Sequence, residues 1–304
     1  MSRIQNILEK AEREGAVLRT GRMVPFEPPA STASAPILTV ADSVREPVAV
    51  AITPPPAPAV IAPAAAVTGL GGAPLKESIT GYSANLNPLL VAALAPKSPA
   101  AEQYRSLRTR LAQAEGSGVL RTILITSPQK GEGKSVTAAN LALTMAQELQ
   151  RRVVLVEADL RKPSLQHLFG LPPGPGLSDY LSGAVELADA MRFMPDHNLT
   201  LLTAGATPVN PAELLGSTAM RRLLDHLRTR FDRVILDTPP VLPLADVAIL
   251  APIVDGSLMV VRAGVTPKPA IENALRAFDS SRLLGVVLNE SGVEQDYRYE
   301  AVSN

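Results

Sequence analysis

Three short stretches of the chain hold side chains whose types and spacing suit chemistry on a phosphate. The first is Ser127-Pro-Gln-Lys-Gly131-Glu-Gly133-Lys134-Ser135, set between an apolar run and a helical pattern that starts near Val136. Glycines at this spacing let backbone N–H groups approach phosphate oxygens closely, and a helix N-terminus behind them adds a favourable dipole. Lys134 is placed to reach the β- and γ-phosphates and the Ser135 hydroxyl to ligate Mg²⁺, so the loop calls for ATP and Mg²⁺. Lys130, Gly131, Glu132, Gly133, Lys134, Ser135 and Val136 form the candidate nucleotide-binding set. Pro128 replaces the first glycine of the usual Gly-x-x-x-x-Gly-Lys-[Ser/Thr] pattern.

The second stretch, Val153-Val-Leu-Val-Glu157-Ala-Asp159-Leu-Arg161-Lys-Pro163, closes an apolar run with two carboxylates two residues apart. On a continuing strand both point the same way, where they can orient the waters of Mg²⁺ or accept a proton from a hydroxyl. The third, Phe231-Asp-Arg-Val234-Ile-Leu-Asp237-Thr-Pro-Pro240, ends another apolar run on Asp237, the usual second carboxylate of such a phosphate site. Lys134, Glu157, Asp159 and Asp237 are thus the candidate catalytic residues, and Ser135, Asp159 and Asp237 the candidate metal ligands.

These stretches need a scaffold that brings strand ends together. Apolar, β-branched runs at Thr122–Thr126, Val153–Val156, Leu199–Leu202, Val234–Leu236, Leu258–Val261 and Val286–Leu288 read as buried parallel strands. Helical patterns at Val136–Leu149, Ala212–Arg230 and Lys268–Phe278 alternate with them. The alternation predicts an α/β fold, a doubly wound, mostly parallel sheet with ligands beyond the carboxyl ends of its strands.

The chain outside this region reads differently. Residues 2–19 carry Ile4, Ile7, Leu8, Ala11 and Leu18 at helical spacing, with Ser2 and Gln5 at capping-box spacing, which predicts an amphipathic helix over 1–20. It packs on its own domain or docks on a partner. Residues 21–97 are rich in Pro, Ala, Ser and Thr, hold close to half of the chain's 28 prolines, and show no sustained period. Such a stretch buries too little apolar surface to offset the entropy of ordering it, so it reads as a disordered linker of polyproline character. The domain proper is expected over 98–293 and a flexible tail over 294–304.

Composition narrows the function. The formal net charge is zero, so no nucleic-acid partner is expected. Absence of cysteine excludes disulfides, thiolate catalysis and cysteine-ligated zinc, and suits a reducing cytoplasm. His167, His197 and His226 lack metal-ligand spacing. No signal peptide is read at the N-terminus, and prolines 54, 55, 56, 58 and 63 break the apolar stretch Val48–Val67, a poor membrane span. The expectation is a cytoplasmic protein, recruited peripherally to the inner face of the cytoplasmic membrane only through a partner.

With the three sites in order, residues 101–289 resemble the bacterial tyrosine kinases that accompany exopolysaccharide and capsule synthesis. The resemblance rests on Ser-Pro-x-x-Gly-Glu-Gly-Lys-Ser, the Glu157–Pro163 run continuing through His167 and Phe169, and Gly176-Leu-Ser-Asp-Tyr-Leu-Ser-Gly183. Asn210-Pro-Ala-Glu-Leu-Leu215 and Leu236-Asp-Thr-Pro-Pro240 follow in family order. It implies a phosphate-loop ATPase fold of the partition-ATPase type and ATP-dependent phosphorylation of tyrosine. Glu102-Gln-Tyr-Arg105-Ser-Leu-Arg108 fits the family's Glu-x-x-Arg-x-x-Arg pattern, linked to assembly into a homo-oligomeric ring, and its spacing places the three side chains near one helix face.

The resemblance further implies that position 157 is normally Asp, a candidate base for the tyrosine hydroxyl, and that Asn289 corresponds to a residue contacting the base in related ATPases. Tyr297 and Tyr299, in Asp296-Tyr-Arg-Tyr-Glu300, match the family's phosphoacceptor tail, although the cluster is short. The expected partners are other copies of the chain, phosphorylated in trans, and an integral membrane protein of the polysaccharide chain-length-control type. Two other readings share the fold. One is a spatial-organiser ATPase, whose extra loop lysine would fall at Gln129, with Lys130 one residue later. The other is a non-kinase ATPase regulating polysaccharide export.

Overall fold

Every apolar run identified above forms a strand in the computed structural model, which describes residues 85–115, 120–149, 151–243, 245–277 and 282–290. The strands are β1 (Thr122–Thr126), β2 (Val153–Glu157), β3 (Met191–Met194), β4 (Leu199–Leu202), β5 (Arg233–Asp237), β6 (Gly256–Arg262) and β7 (Leu283–Asn289). They make one seven-stranded sheet in the order β3-β4-β2-β5-β1-β6-β7. All pairings are parallel except β3 with β4. β3 was not foreseen: its Met-Arg-Phe-Met run lacks β-branched residues, and it forms by pairing antiparallel along the edge of β4.

Alternation along the strands divides the core into two layers. Leu124, Val154, Val156, Leu202, Val234, Leu236 and Met259 face one layer. Ile123, Ile125, Val153, Leu155, Leu201, Ile235 and Val260 face the other. The helices in chain order are α1 (Val91–Leu94), α2 (Pro99–Ala114), α3 (Lys134–Ala146), α4 (Leu165–Leu168), α5 (Leu177–Leu181), α6 (Leu187–Ala190), α7 (Pro211–Leu215), α8 (Thr218–Arg230), α9 (Asp246–Leu250) and α10 (Lys268–Ala277). Residues of α1 to α4 pack into the second layer, and residues of α5 to α10 into the first. Helices therefore cover both faces, as a doubly wound sheet requires.

α3 leads directly from the phosphate loop and is buried almost all round, which its Ala-rich sequence permits by letting strands approach closely. The single helix expected over Ala212–Arg230 is two. Ser217 caps α8, its Oγ accepting from Met220 N–H at 3.2 Å, and α7 ends before it at Gly216.

The packed domain also begins earlier than composition placed it. Leu90 and Ala92, inside the stretch read as linker, are buried. They are held from α3: Asn140 Oδ1 accepts from Ala92 N–H at 2.9 Å, Asn140 Nδ2 donates to Leu89 C=O at 2.9 Å, and Gln147 donates to Ala92 C=O at 2.8 Å. Two side-chain amides thus supply the partners that local sequence lacks. The expected N-terminal helix, the linker up to residue 84 and the tail with Tyr297 and Tyr299 lie outside the described residues. Among the described residues no helix is long and apolar enough to cross a membrane.

Candidate active site

The carboxyl ends of β1, β2 and β5 converge on one crevice. After β1 the chain turns through the phosphate loop, where Gly131 and Gly133 adopt φ of +83° and +86°. Gly133 has a second constraint: a Cβ there would lie 2.1 Å from the side-chain nitrogen of Asn289, at the end of β7. That nitrogen donates to Glu132 C=O at 3.1 Å, so Asn289 holds the loop's backbone and closes over Gly133. Glu132, placed in the nucleotide-binding set by sequence, turns its buried carboxylate inward. It accepts from Gln129 N–H at 2.9 Å and from the Thr266 hydroxyl, which itself accepts from Arg262 N–H. Lys130 is exposed on the loop's outer side, and Ser135 and Val136 are half-buried at the start of α3.

Lys134 is the centre of the crevice. Its ammonium lies 2.9 Å from Asp159 Oδ2, 3.1 Å from Ser135 Oγ and 3.6 Å from Asp237 Oδ1. Burial is the largest single influence and pulls its pKa down, but Asp237 and Asp159 together outweigh it and leave the ammonium above its ordinary range. Asp237 is fully buried, with the Lys134 ammonium and the Ser135 hydroxyl as the polar groups that face its carboxylate. Burial raises its pKa, with Lys134 opposing. A fully buried carboxylate with so few donors has lone pairs left for a further cation or ordered water.

Mg²⁺ fits that requirement, because it keeps waters and phosphate oxygens and takes few protein ligands. Ser135, Asp159 and Asp237 are the residues that would hold it. Among the described residues no group of three or more acidic, histidine or cysteine side chains is disposed to bind a metal unaided.

Glu157 and Asp159 part company. β2 stops at Glu157, which pairs in register with Asp237 on β5. The Glu157 carboxylate is fully buried and accepts from three backbone N–H groups: Ser164, Leu165 at 2.7 Å and Ala204 at 3.1 Å. Its lone pairs tie the start of α4 to the exit of β4, so Glu157 helps hold the frame behind the site. Burial pushes its pKa to about 7, with Asp237 adding to the rise and the backbone donors opposing it. Asp159, beside it in sequence, is the carboxylate that meets Lys134, its other oxygen accepting from Lys162 N–H at 3.0 Å.

The helix α2 residues divide likewise. Glu102 and Arg105 pair with each other on the surface at 2.6 Å. Arg108 is used within the chain, donating to Thr144 C=O at 2.9 Å and pairing with Glu148 at 3.1 Å. Thr266, Asp246 and the bridging role of Arg161 had no local signal, because each acts through a partner distant in sequence.

No protein-family model matches the chain. It is 39% identical over 212 residues to tyrosine-protein kinase YwqD of Bacillus subtilis (strain 168), an alignment covering 69% of this chain and 89% of that protein. The chain belongs to the bacterial tyrosine-protein kinase family. The structure of the kinase domain of Escherichia coli tyrosine kinase ETK superposes with a TM-score of 0.64 at 31% identity, covering 68% of this kinase and 82% of that chain. The succinoglycan biosynthesis transport protein ExoP of Rhizobium meliloti (strain 1021) is 33% identical over 210 residues, which are 67% of this kinase and 27% of that longer protein. These likenesses agree with the family read from the motifs.

Proposed function

We propose that this kinase transfers the γ-phosphoryl group of ATP to tyrosines of other copies of itself, Tyr297 and Tyr299 among them, and in doing so regulates exopolysaccharide synthesis or export. The observation that carries the site reading is Lys134 at the head of α3, held between Asp159 and the fully buried Asp237. N–H groups of the loop from Lys130 to Val136 hold the phosphates, and Lys134 neutralises charge on the γ-phosphate as it transfers. Mg²⁺, held by Ser135, Asp159 and Asp237, supplies charge neutralisation on the β- and γ-oxygens when bound.

In the transfer, the bond from the γ-phosphorus to the bridging oxygen breaks while the tyrosine oxygen forms its bond to phosphorus. The phenolic proton leaves to Asp159 or to water, and ADP departs. Asn289, which closes over Gly133, is assigned to contact the adenine base. The exposed Glu102–Arg105 pair on α2 is the part of the assembly motif free to contact a neighbouring copy. Recruitment to the membrane comes through an integral membrane chain-length-control protein, docked by residues 1–20.

Mass spectrometry of protein incubated with ATP and Mg²⁺ tests the central claim. Wild type acquires phosphotyrosine, Lys134→Met acquires none, and Tyr297→Phe/Tyr299→Phe loses the tail signal. A wild type that binds nucleotide but acquires no phosphotyrosine would leave a regulatory ATPase. Deleting residues 1–20 tests the docking, which fails if membrane recruitment and polysaccharide output are unchanged.

A further inference from the structure

The loops leaving β2 and β5 carry Asp159 and Asp237, and the sheet stops holding them together almost at once. The last sheet-like contact is Ala158 N–H to Asp237 C=O at 2.7 Å. Beyond it the chains diverge. From Asp237 the backbone follows β1 and the phosphate loop: Thr238 N–H donates to Ile125 C=O at 3.1 Å, and Val241 N–H to Ser127 C=O at 2.8 Å. From Asp159 it turns away towards α4, anchored by Glu157.

The two loops meet again at one ion pair. Arg161 Nε donates to Asp246 Oδ2 at 2.7 Å, and its Nη2 donates to Asp246 Oδ1 at 3.1 Å. Asp246, the first residue of α9, is buried to 1% exposure, while the Arg161 side chain is 37% exposed. A two-pronged contact with a buried carboxylate is more directional than an exposed ion pair, and its geometry is specific to guanidinium.

We propose that Arg161 and Asp246 are positioning residues that fix the separation of Asp159 and Asp237 around the Mg²⁺–phosphate group. Their bridge ties the loop leaving β2 to the head of α9: Asp246 holds Arg161, which lies two residues from Asp159, and Asp159 meets Lys134 of the phosphate loop. Opening the Arg161–Asp246 bridge frees the two carboxylates to drift apart while leaving the phosphate loop itself intact. The inference rests on reading Asp159 and Asp237 as the carboxylates that face the metal.

The test uses the full chain with Arg161→Lys, which keeps the charge and loses the fork, and Asp246→Asn, which keeps the shape and loses the charge. ADP binding is measured by calorimetry over a Mg²⁺ titration and again with chelator, with melting temperature recorded in parallel. Both variants should bind ADP like wild type in chelator and need about tenfold more Mg²⁺ for half of its effect, the size expected when a group that orients metal ligands is lost. An unaltered Mg²⁺ requirement in the variants overturns the proposal, whatever the melting temperature does, because a purely structural staple moves only the latter. If Asp246→Asn does not fold, Arg161→Lys, at a partly exposed position, decides alone. A wild type whose ADP binding ignores Mg²⁺ overturns the reading of the site and the proposal with it, and is distinct from a responsive wild type with equally responsive variants.

Discussion

Raising the pH should weaken the folded kinase through one buried carboxyl, that of Glu157. Burial lifts its pKa from the ordinary 4.5 to about 7, even though three backbone N–H groups favour the charged form. Glu157 therefore holds its proton more tightly folded than unfolded. Its stabilising contribution is fully present below about pH 4.5, declines as the unfolded chain ionises, and is gone once the pH has risen through about 7. A shift of this size corresponds to about 3 kcal/mol, a large part of a typical domain's stability of roughly 5–15 kcal/mol. Urea unfolding without nucleotide or Mg²⁺, at several pH values from about 5 to about 8, measures it against Glu157→Gln. The glutamine cannot titrate, so its stability should change less over that range. At about pH 5 it should also be less stable by about 1–3 kcal/mol, because its NH₂ must face one of the backbone donors, and that gap should narrow as the pH rises. Asp237 is raised in the same direction and is present in both proteins, so the difference between the two curves belongs to Glu157. Parallel curves for wild type and variant would refute the assignment.

Two other perturbations probe the loop and the assembly helix. Gly133→Ala places a methyl group on a left-handed residue and against the Asn289 amide, so thermal unfolding should show a loss of about 1–3 kcal/mol and ATP binding should weaken. Arg108→Ala breaks contacts from α2 to α3 and should lower the melting temperature. Glu102→Ala/Arg105→Ala removes an exposed pair worth at most about 1 kcal/mol, and should change oligomer size in sedimentation while leaving melting nearly unaltered.

What could be read without coordinates was whatever depends on neighbours in sequence. The runs at 122–126 and 153–156 announce buried strands because every residue in them is apolar or β-branched, and the phosphate loop is contiguous. Partners far along the chain leave no such trace. Leu90 and Ala92 sit in a Pro- and Ala-rich stretch, and the groups that order it, Asn140 and Gln147 among them, lie about fifty residues or more further on. Arg161 and Asp246 are 85 residues apart, and neither has a neighbour that predicts the other. β3 exists only because β4 offers it an edge.

Glu157 shows how a residue identified correctly by position can still be assigned the wrong neighbours. Period-two reasoning placed it beside Asp159 on the assumption that the strand continues, but β2 ends at Glu157 itself. Freed from the strand's alternation, the two carboxylates answer to different donors. Glu157 takes the backbone N–H groups of Ser164, Leu165 and Ala204, while Asp159 takes the ammonium of Lys134. Satisfying three amides from two neighbouring loops requires reach, and a glutamate has one methylene more of it than the aspartate expected at this place. The longer side chain thus serves the frame, while Asp159, just past the end of β2, is the carboxylate that meets Lys134. Glu157→Asp separates the two roles: it should lose the link to Ala204 or to α4 and lower stability, whereas a base acting at the hydroxyl would tolerate the exchange or gain from it.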